Sequence, residues 1–129
     1  MIIDGRNIAD EILACTKVRA GKLTRRPLVV AYVAPDETPA TRSYLKIKER
    51  SAAQAGCDFK VSRDVADFDS ADAVIAQLPL PPELQSVLEL IPVSKDADVL
   101  TRVAREKFEK GESDVLLPPV VGAVKAILE

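Results

Sequence analysis

Between Pro27 and Pro35 runs Leu28-Val29-Val30-Ala31-Tyr32-Val33-Ala34, an unbroken apolar stretch rich in valine. A strand with one wet face alternates apolar and polar residues, so a run of this kind is covered on both faces, as a central strand of a parallel sheet is. Parallel neighbours need crossover connections, and the flanking segments supply helices for them. Upstream, Ile8, Ile12, Cys15 and Val18 recur at helical spacing, which predicts an amphipathic helix over about Ile8 to Val18 with Asp4 or Asn7 as its N-cap. Downstream, Thr38-Pro39 gives an N-cap followed by proline in the first turn. Gly56 stands where a left-handed C-terminal residue belongs, so a second helix is expected from Pro39 to Ala55.

Cys57 to Val61 alternates as a strand, and Ala73 to Leu78 is a further apolar strand stopped by Pro79. The interval between them, Ser62 to Ala71, is short for a parallel crossover, so either the crossover helix is lost or the pairing is unusual. Leu84, Val87, Leu88 and Ile91 then fall on one side of a helix closed by Pro92. Thr101 to Lys110 reads as a charged helix, and Val120 to Leu128 as a last apolar one. Helices alternating with buried strands predict an α/β fold, a three-layer α/β/α sandwich around a short, mostly parallel sheet, with residues 1–129 as one domain.

Composition narrows the chemistry. The 18 Lys+Arg against 20 Asp+Glu leave a net charge of -2, too little positive field to hold a nucleic acid or an anionic membrane. Histidine is absent, which removes the commonest general base and every Ser-His or Cys-His nucleophile arrangement. Catalysis must run on Lys, Tyr, Asp, Glu or amide groups. Cys15 and Cys57 belong to no metal-ligand spacing and read as buried thiols. The N-terminus carries no signal-peptide pattern and no apolar run approaches a membrane span, so a cytoplasmic location is expected.

Three places can carry chemistry. Tyr44 and Lys48 lie one helical turn apart on one face, so a ring and an ammonium can address a common cleft. By spacing alone the pair is more readily a core tyrosine beside a solvated lysine. Gln77 ends an apolar strand before Leu78-Pro79-Leu80-Pro81, at the carboxyl end where ligand-contacting groups collect in open α/β sheets. A glutamine that satisfies backbone groups at a strand end fits that position equally well. Asp96 and Asp98 flank Ala97; in an extended segment both carboxylates share a face, whereas in a turn, the commoner setting, they diverge.

Taken in order, Ile2-Ile3-Asp4-Gly5, Pro39-Ala40, Ser43-Tyr44 with Lys48, Gly56, Gln77-Leu78-Pro79-Leu80-Pro81 and Lys95-Asp96-Ala97-Asp98 resemble the methylenetetrahydrofolate dehydrogenase/methenyltetrahydrofolate cyclohydrolase family. The match covers nearly all of this chain and about the N-terminal half of a family member, its catalytic, folate-binding domain. The resemblance implies that Lys48 is the catalytic lysine, assisting proton transfers at the one-carbon bridge, and that Gln77 hydrogen-bonds and tunes it. It also implies that Tyr44 stacks on the folate and that Asp98 binds the pterin ring. A carboxylate can accept the paired donors of an aminopterin edge, and a lysine in a partly apolar cleft can act in proton transfer near neutral pH. No metal is needed for such a hydrolysis.

The family's other half is an NAD(P)-binding Rossmann domain, and no Gly-rich strand-turn-helix fingerprint occurs in these residues. The expectation is therefore a cyclohydrolase without its own cofactor, with NADP-dependent hydride transfer only if another domain or partner supplies it. Truncation would bare apolar surface, so a homo-oligomer or a separate cofactor-domain partner is expected. Three local departures stand out: Val99 replaces the glycine that follows the second aspartate in the family, Pro118-Pro119-Val120-Val121 replaces a stretch with a thiol and a hydroxyl, and the Ser62 to Ala71 link has no room for the family's crossover helix. These departures, with the missing cofactor domain, motivate the alternative of a noncatalytic folate-binding or assembly module.

Overall fold

The run that begins at Leu28 forms the middle strand of a parallel sheet in a computed structural model, which describes residues 2–129. The strands are β1 (Leu28–Tyr32), β2 (Asp58–Ser62) and β3 (Ala73–Ala76), in the order β2-β1-β3. Val30 lies opposite Lys60 on one side and Val74 on the other. Residue alternation along the pleat divides the core in two. Val30, Tyr32, Val74 and Ala76 pack on one face with Phe68, Leu80 and Ile91. Ala31, Val33 and Ile75 pack on the opposite face with Leu45.

Four α-helices accompany the sheet: α1 (Gly5–Ala20), α2 (Pro39–Gln54), α3 (Arg102–Glu109) and α4 (Pro119–Leu128). Asp4 caps α1 through Arg6 N–H and Asn7 N–H, which settles the choice left open between Asp4 and Asn7. Thr38 caps α2 through Thr41 N–H with Pro39 in the first turn, as the sequence predicts. Gly56, after that helix, has φ 78, and a Cβ there would stand 3.5 Å from the Ala20 Cβ. The turn therefore needs glycine for its backbone conformation, and the site also receives the end of α1 closely.

The short link between β2 and β3 is a 3-10 turn, Val65–Phe68, in place of a crossover helix. It carries the chain across the buried face of β1 and drops Phe68 edge-on to Tyr32, with ring centroids 6.0 Å apart. Polar contacts hold so short a connection. Asp64 caps the turn, Lys60 and Ser62 both reach Asp67, and the Lys95 ammonium donates to Phe68 O and Asp69 O. The pairing is thus ordinary and parallel, and the helix is what has gone.

Several expectations are corrected. The one-sided segment containing Leu84, Val87, Leu88 and Ile91 is a 3-10 helix, Pro82–Leu90, not an α-helix. Prolines at 79, 81, 82 and 92 remove backbone donors around it, and a tighter coil still turns Leu84, Val87 and Leu88 onto the core. The first strand stops at Tyr32, although Val33 N–H still donates to Ser62 O. Cys15 is exposed and Cys57 half-buried, both as free thiols. The reason for Cys15 is that α1 lies on the outside, against α2 and α4, and buries only Ala20. Among the described residues no helix is long and apolar enough to cross a membrane.

Candidate functional site

The strand order creates the crevice. From β1 the chain leaves through α2 on the Leu45 face, and from β3 it leaves through Leu80 onto the Phe68 face. Neighbouring strands whose connections depart to opposite sides leave a gap at their carboxyl ends, the topological switch point where open α/β sheets bind ligands. Here that gap is a cavity of about 350 Å³, walled by Ala34 beyond β1, by Thr38 and Thr41 of the first turn of α2, and by Gln77, Pro79 and Leu80 beyond β3.

Gln77 follows Ala76 by one pleat and therefore points to the Leu45 face of the sheet. Its Nε2 donates to Leu78 O at 3.2 Å, while Oε1 is buried without a hydrogen-bond partner. A buried orphan acceptor is costly, of order 1–3 kcal/mol, and it lies beside an open cavity in which a ligand donor could satisfy it.

On α2, Thr41, Leu45 and Lys48 fall at i, i+4 and i+7, the stripe turned toward the sheet. Leu45 is buried in the core and Lys48, one turn on, is half-buried. Tyr44 flanks this stripe with 59% of its surface exposed, an aromatic ring held ready at the rim. It is not the core tyrosine that spacing alone suggests.

The two aspartates separate. Val99 N–H donates to Asp96 O, and the Asp96 carboxylate, 1% exposed, accepts from Leu100 N–H at 2.9 Å and Thr101 N–H at 2.8 Å. Asp96 thus has the turn-capping role, and the divergent arrangement holds. Asp98 is half-buried, and among the described residues no donor is hydrogen-bonded to its carboxylate. Burial pushes its carboxyl above the ordinary 3.8; the Lys48 ammonium pulls it down again and Asp96 adds a push upward. The fold has therefore brought Lys48 of α2 and Asp98, in the turn after the 3-10 segment Val93–Lys95, within reach of each other's charge. Neither they nor Tyr44 line the cavity at Gln77, which opens at the N-terminal end of the same α2 stripe.

Two features escape a reading from sequence patterns. Thr41, Asp36 and Glu37 line the cavity, and the signal available for them was their place just past the carboxyl end of the central strand. Val99 adopts φ 54 and is 4% exposed. A β-branched side chain in the left-handed region carries strain of about 1–3 kcal/mol, retained because this turn aims Leu100 N–H and Thr101 N–H at Asp96.

No family model matches the chain. Individual relatives do. The bifunctional protein FolD of Halothermothrix orenii is 34% identical over 116 residues, which are 75% of this chain and 41% of that protein. FolD of Protochlamydia amoebophila is 31% identical across 100% of this chain and 50% of its own length. Among solved structures, the FolD methylenetetrahydrofolate dehydrogenase/cyclohydrolase of Campylobacter jejuni superposes with a TM-score of 0.79 at 23% identity, over 95% of this chain and 52% of that one. The corresponding bifunctional enzyme of Thermoplasma acidophilum gives 0.75 at 20% identity, over 99% and 52%. The likeness to these structures is one of fold, and the chain spans about half the length of the relatives it matches.

Proposed function

Because this chain is similar along its length to FolD proteins, of which it spans about half, we propose that it is the catalytic, folate-binding half of such an enzyme and hydrolyses 5,10-methenyltetrahydrofolate to 10-formyltetrahydrofolate. Two free thiols accord with action in a reducing, cytoplasmic compartment. In this reading Tyr44 stacks on the folate and Asp98 accepts the paired N–H donors of the pterin edge. That contact would give a half-buried carboxylate the hydrogen bonds it lacks in the free protein.

The substrate is a cation whose methenyl carbon is already electrophilic, so the protein has chiefly to orient water and move protons. Water adds to that carbon, the bond to one ring nitrogen breaks, and one proton is released overall. Lys48 is the residue for those transfers, and the Gln77 amide, whose Oε1 has no partner in the free protein, is the group that the family resemblance assigns to orient it. What supports the reading is that the fold brings Lys48 of α2 near enough to half-buried Asp98 for the ammonium to pull its carboxyl down, so that a proton-handling group and an acceptor for the pterin stand near each other.

The test is loss of the methenyl chromophore on mixing with the purified chain. Lys48→Met is expected to lower the rate by about 100-fold or more, the usual weight of a positioned acid-base group. Binding of a folate analogue by titration calorimetry should survive that change. An unchanged rate in the variant removes Lys48 from the reaction, and tight binding without turnover in the unaltered chain favours the noncatalytic module, for which Val99 and the Pro118 to Val121 stretch speak.

A further inference from the structure

Lys95 spends its ammonium on main-chain carbonyls. Half-buried, it donates to Phe68 O at 3.0 Å and to Asp69 O at 2.9 Å, at the end of the 3-10 turn Val65–Phe68, where a cation is favoured. The turn's other polar contacts are local: Lys60, Ser62 and Asp64 reach it from at most 7 residues away. Lys95 reaches it across 27 and 26 residues, from beyond β3. Directly after Lys95 the chain touches β3 through a bridge between Asp96 and Val74, and then enters the turn that carries Asp98. The Asp96 carboxylate closes that turn from downstream, through Leu100 N–H and Thr101 N–H. Lys95 is the side chain that fastens it from upstream.

We propose that Lys95 is a positioning residue for the folate site: by tying the segment ahead of Asp98 to the Val65–Phe68 turn, it keeps the Asp98 carboxylate half-buried near Lys48. This role rests on the reading of Asp98 as the pterin acceptor and extends it to a side chain that acts through Asp98. A carboxylate that accepts two donors of one ring edge has to be held to within about 0.5 Å. The segment around Asp98 is flanked by a three-residue 3-10 coil on one side and by left-handed Val99 on the other, so no regular helix or strand holds it. Two hydrogen bonds from one ammonium supply the missing anchor. The charges that bear on the Asp98 carboxyl are Lys48 and Asp96, whereas that of Lys95 is felt at Asp72. The influence of Lys95 on Asp98 therefore passes through geometry, which gives the test its sign.

A carboxyl-resolved NMR titration of the full 129-residue chain reads Asp98 without any folate. Removing a cation can by itself only raise a nearby carboxyl. Lys95→Met is nevertheless expected to bring the Asp98 carboxyl down toward 3.8, because burial is the largest influence on it and a loosened turn relieves that burial. Lys95→Arg, which keeps donors and charge, should leave it where the parent has it. In calorimetry with a folate analogue, Lys95→Met should raise the dissociation constant about tenfold. Lys95→Arg should restore it, and in an Asp98→Asn background Lys95→Met should have no further effect. A folded Lys95→Met chain whose Asp98 titrates as in the parent, or higher, overturns the proposal and leaves the folate reading standing. Binding weakened equally with and without Asp98→Asn also overturns it, since that is the mark of a lysine that only supports the fold. Where Lys95→Met does not fold, Lys95→Gln, an amide on a shorter stem, carries the same predictions. An unaltered chain that binds no folate analogue removes the reading of Asp98, and the proposal falls with it.

Discussion

Asp98 is asked to do two opposed things. As a half-buried carboxylate without a hydrogen-bond donor it is held above its ordinary 3.8, so in the free protein its ionised form opposes folding. An acid whose folded value is raised stabilises the fold at pH below its unfolded value and loses that contribution as pH rises through the folded value. Asp98→Asn, neutral at every pH, escapes the loss. The variant should therefore be more stable than the parent in urea titrations at pH 7, with the gap closing below about 3.8. If it is less stable at pH 7, attraction to Lys48 outweighs desolvation and the carboxylate is paired. The same substitution should weaken binding of a folate analogue, because an amide cannot accept both donors of an aminopterin edge. Of these residue-level facts the sequence offered little. The roles of Lys48 and Asp98 came from resemblance, because helical spacing and a pair of aspartates occur too widely to identify a site. Val99 shows the converse: its departure from glycine was visible, and the left-handed backbone that makes the departure costly required coordinates.

At the scale of elements, local chemistry was legible where one rule governed. The apolar run at Leu28 announced a strand buried on both faces, and Thr38, Pro39 and Gly56 bounded α2 because capping depends on neighbouring backbone alone. Legibility failed where apolar spacing satisfied two coils. Leu84, Val87 and Leu88 turn inward in a 3-10 helix as well as in an α-helix, and only the density of prolines favoured the tighter one. The N-terminal ends of β1 and β3 are joined by a contact no pattern revealed. Asp72 accepts from Arg25 at 2.6 and 2.8 Å and from Leu28 N–H at 2.8 Å, which holds its carboxyl down to about 2. A lowered folded value stabilises above the ordinary 3.8 and is lost as pH falls through about 2. Its side chain is 37% exposed, so screening limits the effect. Asp72→Asn should cost about 1 kcal/mol at pH 6 and almost nothing near pH 2, measured by thermal melting at both; an equal loss at both would make the residue's packing responsible.

For the whole molecule, the strand order decides where chemistry can occur and the glycines decide which chemistry. A switch point between β1 and β3 opens the crevice at Gln77, and Lys48, further along the α2 stripe that borders it, stands near enough to Asp98 to bias its charge. A dinucleotide would need a second such construction, with a Gly-rich turn that lets a helix N-terminus approach the pyrophosphate. The chain has 5 glycines, at 5, 21, 56, 111 and 122, too widely separated for that turn to be built anywhere in these residues. Hydrolysis and hydride transfer should therefore come apart. Given methenyltetrahydrofolate, the chain is expected to discharge the chromophore. Given methylenetetrahydrofolate with NADP, it should produce no reduced nicotinamide, because the folate carbon is held and no hydride acceptor is positioned against it. Nicotinamide reduction that disappears with Lys48→Met would overturn this division and show that a dinucleotide can bind without the glycine turn. Hydrolysis without reduction would fix the proton chemistry in this half of the family's architecture.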